Sequence, residues 1–190
     1  PSIGSSNFYK FLVDPLGISG PSIQSIGTLH KNDVSNLLFT KDGSKLLATN
    51  YLGLVEVFDF DRCTGVLSNN ILISTQNGSS QKQFAGSSFS PSGRFVYVSV
   101  TNNIFNGDSL RLYQFDLQAA NIPASKTTIY NAIVPASGGL HALGPDGKIY
   151  MACTYETGYP YADTVRNMYN ENLSVINYPD SPGVACDFQP

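Results

Sequence analysis

Phe89-Ser90-Pro91-Ser92-Gly93-Arg94-Phe95-Val96-Tyr97-Val98 reads as a strand, a tight turn and a return strand. Proline presets the backbone angle of the first central turn position, and glycine takes the left-handed position from which the return strand departs. Two relatives flank it, Phe39-Thr40-Lys41-Asp42-Gly43-Ser44-Lys45-Leu46-Leu47 and Leu143-Gly144-Pro145-Asp146-Gly147-Lys148-Ile149-Tyr150. Their turn glycines stand at 43, 93 and 147, in steps of 50 and 54 residues. A repeat of roughly this length marks a propeller or a solenoid.

Outward from these hairpins, a second set of segments aligns: Phe8–Asp14, Val55–Asp61 and Leu110–Asp116, each alternating or nearly so and each ending in Asp. A fourth strand follows in two of the units, over Val66–Ser74 and Lys126–Tyr130. The third unit runs out over Pro179–Pro190 without a clear fourth strand. Four short strands per unit of about 50 residues give one propeller blade, and no 3.6-residue period is sustained to support a helical solenoid. The expected fold is therefore all-β: a β-propeller segment of about three four-stranded blades plus part of another, a fragment of a larger propeller. Its blades divide as a remnant over 1–35 and complete units over 36–80, 81–135 and 136–190. Such an open piece is expected to need further sequence or a second copy, because an open propeller leaves unpaired edges and an apolar flank.

The 190 residues are 42% apolar and only 13% charged, with net charge −3. The eleven Lys and Arg are scattered, which argues against nucleic-acid binding. No apolar run of the length of a membrane span occurs. Cys63, Cys153 and Cys186 have no metal-ligand spacing. Cys63 and Cys186, in turn and tail segments, are the two expected to oxidise in a secreted protein, and Cys153, at a strand end, the one expected to be buried.

Val57-Phe58-Asp59-Phe60-Asp61-Arg62-Cys63-Thr64-Gly65, Leu112–Leu117, Gly144–Tyr150, and Val175–Asp180 through Ala185–Gln189 resemble the propeller repeats of large secreted bacterial surface proteins of the type IX secretion kind. The resemblance implies an extracellular or cell-surface protein without an assigned activity. A weaker likeness, in the Phe-Ser-Pro-Xaa-Gly-Arg-Phe-Val-Tyr-Val pattern, is to lactonase-type propellers; it brings no catalytic residues with it.

Loops between second and third strands, and between successive blades, share one face. The outlier there is Thr154–Glu171, longer than most structureless connections. Tyr155, Glu156, Tyr159, Tyr161, Arg166 and Tyr169 make it the candidate ligand-binding loop, since tyrosine joins flat apolar area to a hydroxyl. Asp163-Thr164-Val165 and Asp108-Ser109-Leu110 resemble the O-glycosylation sequence of such bacteria, which puts Thr164 and Ser109 forward as acceptors. His141, on an innermost strand, is the channel candidate, although no carboxylate partner is assignable to it; His30, in a polar loop, is expected to be exposed. No catalytic set, metal site or cofactor is predicted. The leading reading is a non-catalytic surface module for protein or glycan interaction, and the alternative is a lactonase-like hydrolase working in the central channel.

Overall fold

A computed structural model describes residues 2–31, 35–75, 82–102, 109–133, 137–154 and 166–190. Three four-stranded antiparallel meanders and one two-stranded sheet follow one another along the chain. The pair is β1 (Asn7–Asp14) with β2 (Gly17–Ser25). The first meander is β3 (Ser35–Phe39), β4 (Lys45–Asn50), β5 (Val55–Asp61) and β6 (Val66–Ser74). The second is β7 (Lys82–Phe89), β8 (Phe95–Asn102), β9 (Ser109–Asp116) and β10 (Thr127–Ala132). The third is β11 (Ser137–Leu143), β12 (Ile149–Thr154), β13 (Ser174–Ile176) and β14 (Phe188–Gln189). The last unit therefore has a fourth strand after all. It is only two residues long and follows a 3-10 turn over Gly183–Cys186, so no strand-like run announces it in sequence.

The hairpin turns share a glycine bond, and the third closes one residue earlier than the others: Thr40 N and Ser90 N donate to Lys45 O and Phe95 O, Gly144 N to Lys148 O. Gly43, Gly93 and Gly147 have φ of 70°, 75° and 80°, and each donates its N–H to the carbonyl three residues back, on Thr40, Ser90 and Gly144. The shared Asp at the end of each third strand opens a second recurrent turn. Asp14 accepts from Leu16 N, Asp61 from Cys63 N and Asp116 from Gln118 N, at 2.8, 2.8 and 2.9 Å. These are Asx turns, in which the carboxylate replaces a backbone acceptor and stops the strand. A basic residue at or just before the start of each second strand reaches the third. Lys45 pairs with Asp59 and Arg94 with Asp116 in a two-pronged contact, while Lys148 donates to Asn177 at 2.8 Å.

The sheets stack face to face, and the core lies between them. The strand β7 packs on β3 and β4, and β11 packs on β7, β8 and β9. Leu47, Val55 and Val57 of the first meander meet Phe89, Val96, Val98 and Phe115 of the second. Phe95, Tyr97 and Leu112 on the other face of the second meet Ile149, Ile176 and Cys186 of the third. Phe8 of β1 packs with Leu46, Ala48, Phe58 and Leu67. The second strands are thus buried on both faces, which is why Leu46-Leu47-Ala48 and Phe95-Val96-Tyr97-Val98 read as continuous apolar runs. Each fully buried side chain of this size stabilises the fold by roughly 1.5–3 kcal/mol. Successive sheets packed through their inner strands are the blades of a propeller.

Candidate functional site

Of the long loop after β12, Tyr155, Glu156, Tyr159, Tyr161 and Thr164 lie outside the described residues. Its C-terminal end is fixed by a short helix, α1 (Met168–Glu171), which packs beside β12. Asn167 caps it: the side-chain oxygen accepts from Tyr169 N at 2.9 Å and Asn170 N at 3.3 Å, and Asn170 returns a bond to Asn167 N. This capping box holds the first turn against fraying. Around it Arg166 projects with its side chain 93% exposed, 3.8 Å from Glu171. Met168 and Leu173 are exposed, and Tyr169 is half-buried close enough to Tyr130 to act on its phenol electrostatically.

His141 does lie on an innermost strand, but it does not face open water. Its ring is sealed in the seam between β11 and β7, with Nδ1 3.1 Å from Ser88 Oγ and Nε2 without a hydrogen-bond partner among the described residues. Burial lowers its pKa to about 3, so the imidazole is neutral at ordinary pH. The seam is tight at this point: a Cβ at Gly86 would lie 2.1 Å from Gly139 O and 2.7 Å from His141 Cδ2. A Ser beside a His is the beginning of a nucleophile–base pair. Here both side chains are buried and no carboxylate among the described residues bonds to the ring, so the pair works as an interblade contact.

His30 corrects the expectation of an exposed loop residue. It is buried with its ring edge-on to Phe8, centroids 5.9 Å apart, and neither nitrogen has a hydrogen-bond partner among the described residues. Burial pushes its pKa down and the nearby Glu56 partly opposes this. Glu56 itself is a functional-looking group that sequence reading passed over. Although fully buried on β5, it accepts from Thr28 N at 3.0 Å, Thr28 Oγ1 at 2.6 Å and Asn70 Nδ2 at 3.1 Å. It stitches the segment before β3 onto the first blade. The available signal was a lone carboxylate between Val55 and Val57 on a strand with two buried faces.

Ser109 is also corrected. It opens β9 and is buried, so its hydroxyl lacks the access a glycan requires. All three cysteines are free thiols. Cys63 is exposed, whereas Cys186 is buried with Cys153 and burial pushes both buried thiols up. The expectation that Cys186 would oxidise fails because the tail carrying it folds back over Tyr97 instead of standing free.

One groove of about 500 Å³ opens between β1 and the first complete blade, with Phe8, Phe11, Leu12, Leu37, Phe39 and Leu46 among its lining. No group of three or more His, Cys, Asp or Glu among the described residues is placed to hold a metal ion. No helix among them is long and apolar enough to cross a membrane.

No protein-family model matches the sequence, and no curated protein matches it. Solved structures do. The β-propeller domain of Myceliophteria thermophila Cps50 (Swd1) superposes with a TM-score of 0.50 at 15% identity, covering 79% of this chain and 44% of that one. The fold is a β-propeller. A protein from Lactobacillus plantarum gives a TM-score of 0.51 at 16% identity, over 90% of this chain and 48% of its own. A luciferin-regenerating enzyme gives 0.47 at 17% identity, over 90% and 60%. The propeller described here thus spans about half the length of the structures it resembles.

Proposed function

We propose that this propeller is a non-catalytic interaction module that binds a partner protein with the face carrying residues 154–171. The observation that carries the reading is the surface around α1, where Arg166, Met168, Tyr169 and Leu173 gather beside a capped helix, with Arg166, Met168 and Leu173 exposed. Arg, Tyr and Met are the side chains enriched in protein interfaces, where they join apolar area to a directed polar group. The sequence assigns Tyr155, Tyr159 and Tyr161, outside the described residues, to the same loop. A glycan is the other class of ligand such tyrosines suit. The hydrolase alternative draws no support from His141, whose place between blades keeps it from a substrate in the channel. The low charge content and the likeness to type IX secreted propellers favour a position outside the cell or on its surface.

Deletion of Tyr159–Tyr169 tests the reading. Capture on an array of surface proteins is expected to be lost while the far-ultraviolet circular dichroism spectrum keeps its β-sheet form. Capture confined to a glycan array would move the proposal to the glycan class. Lactone turnover abolished by His141→Ala would overturn it.

A further inference from the structure

Two side chains fasten residues 26–31, which lead from β2 towards β3, onto the first blade. Along this crossover Gly27, Leu29 and Lys31 are exposed, whereas Thr28 is half-buried and His30 buried. Thr28 reaches Glu56 of β5 with its N–H and its hydroxyl, at 3.0 and 2.6 Å. His30 lies edge-on to Phe8 of β1 and is 1% exposed. Main-chain bonds complete the hold: Ile26 N to Ser6 O at 3.1 Å, His30 N to Ser5 O at 2.9 Å and Gly4 N to His30 O at 2.7 Å.

The second fastening holds only while the ring is neutral. Neither ring nitrogen has a hydrogen-bond partner among the described residues. An imidazolium in the same place would be a buried charge with two donors and no acceptor. Two charged groups act on the ring: the Glu56 carboxylate, which favours the imidazolium through space, and the amino terminus, which opposes it. Glu56 does not supply the missing acceptor. Thr28 and Asn70 already donate to its Oε1, and no bond joins it to the ring. Burial outweighs Glu56, and the ring's pKa lies below the ordinary 6.5. A ring released to water regains the ordinary value, so proton uptake favours release as the pH falls.

His141 meets the same penalty, but β11 is packed against β7, β8 and β9 and yields only if two blades part. The crossover has no regular structure and exposes every second residue. Such a segment opens locally at little cost. The outer end of the β1–β2 pair is clamped separately. Gln24 Nε2 donates to Leu67 O at 2.6 Å and Gln24 Oε1 accepts from Leu67 N at 3.0 Å. An amide side chain bonded to main chain carries no titrating proton, so acid leaves this clamp in place.

We infer that residues 26–31 form an acid-released latch: protonation of His30 expels its ring and lifts the crossover off the first blade, while the outer end of the β1–β2 pair stays fastened. Release uncovers Phe8 and the Glu56 carboxylate. The latch is separate from the face around α1 and stands whether or not that face binds a protein.

Amide exchange followed by nuclear magnetic resonance on the intact chain between pH 7.5 and 5 tests it, with each rate corrected for the intrinsic effect of pH. Protection of the Ile26, Thr28 and His30 amides should fall by up to about tenfold for each unit below pH 6.5, and the Leu67 amide should keep its protection. The His30 ring protons should report a pKa below 6.5. His30→Phe keeps a ring against Phe8 and removes the titration, so protection of the three amides should become flat; His30→Leu repeats the test if the larger ring disturbs the fold. Glu56→Gln should lower the protection at every pH and keep its fall. A chain extended at its amino terminus, which moves that charge away, should also keep it. A His30 pKa at or above 6.5, a fall that persists in both His30 variants, or one that vanishes in Glu56→Gln or in the extended chain would overturn the proposal. So would loss of Leu67 protection in step with the crossover, which would make the change a general loosening of the pair.

Discussion

At the scale of single residues, His141 makes the seam between β7 and β11 sensitive to pH. Its pKa is about 3 in the folded chain, below the ordinary 6.5 because burial disfavours the imidazolium. Between those values the unfolded chain binds a proton that the folded chain does not. The stability is complete above pH 6.5 and falls by up to about 1.4 kcal/mol for each unit below it, down towards pH 3. His30, also pushed down by burial, acts in the same direction. Asp42, held at about 2 by hydrogen bonds from Thr40 and Ser44, enters only below the ordinary carboxylate range. Urea unfolding at pH 7, 6 and 5 should therefore show a steady loss, and His141→Gln should flatten a large part of it. An unchanged slope in the variant would place the sensitivity elsewhere.

At the scale of elements, the parts legible in sequence are those whose physics is local. The three Gly turns and the three Asp stops depend on contacts two to five residues apart, and the residues at 42–44, 92–94 and 146–148 state the turns outright, as Asp14, Asp61 and Asp116 state the stops. The runs Leu46–Ala48 and Phe95–Val98 announce strands buried on both faces. Other elements depend on partners far along the chain and stayed hidden. Tyr97 is the clearest. Its hydroxyl donates to Pro179 O at 2.8 Å and accepts from Gln114 Nε2 at 2.6 Å, and Gln114 also takes Gly183 N and gives to Ser181 O. This buried node pins the tail, and through it the two-residue β14, to the second blade. In sequence Tyr97 is merely one aromatic in an apolar strand. The candidate loop is proposed from its length and tyrosines alone, whereas the groove at β1 left no mark in the sequence, because it arises from what lies beside a strand. Tyr97→Phe keeps the ring, leaves Pro179 O without its donor and removes one of the two bonds of Gln114 Nε2, which should cost about 1–3 kcal/mol and lower the thermal midpoint. A variant as stable as the parent would show that the tail is held by its apolar contacts alone.

At the scale of the molecule, order is concentrated where sheets face sheets and decreases toward the half-covered N-terminal pair. The central strands β4, β5, β8 and β9 carry most of the fully buried residues, while β1, β2 and the turn between them expose Phe11, Leu12, Val13, Leu16 and Ile18. Local opening follows this distribution, since strands with few buried contacts unfold at little cost. The central claim is that the chain is a stack of propeller blades held by its interblade seams, with β1–β2 as an outer pair backed by one blade only. Native-state hydrogen exchange on the chain tests it directly. The account predicts the slowest amides in β4, β5, β8 and β9 and the fastest strand amides in β1 and β2, with peptides covering β7 and β11 between them. Protection of β1 and β2 equal to that of β8 and β9, or a β8 that exchanges as fast as β2, would contradict it.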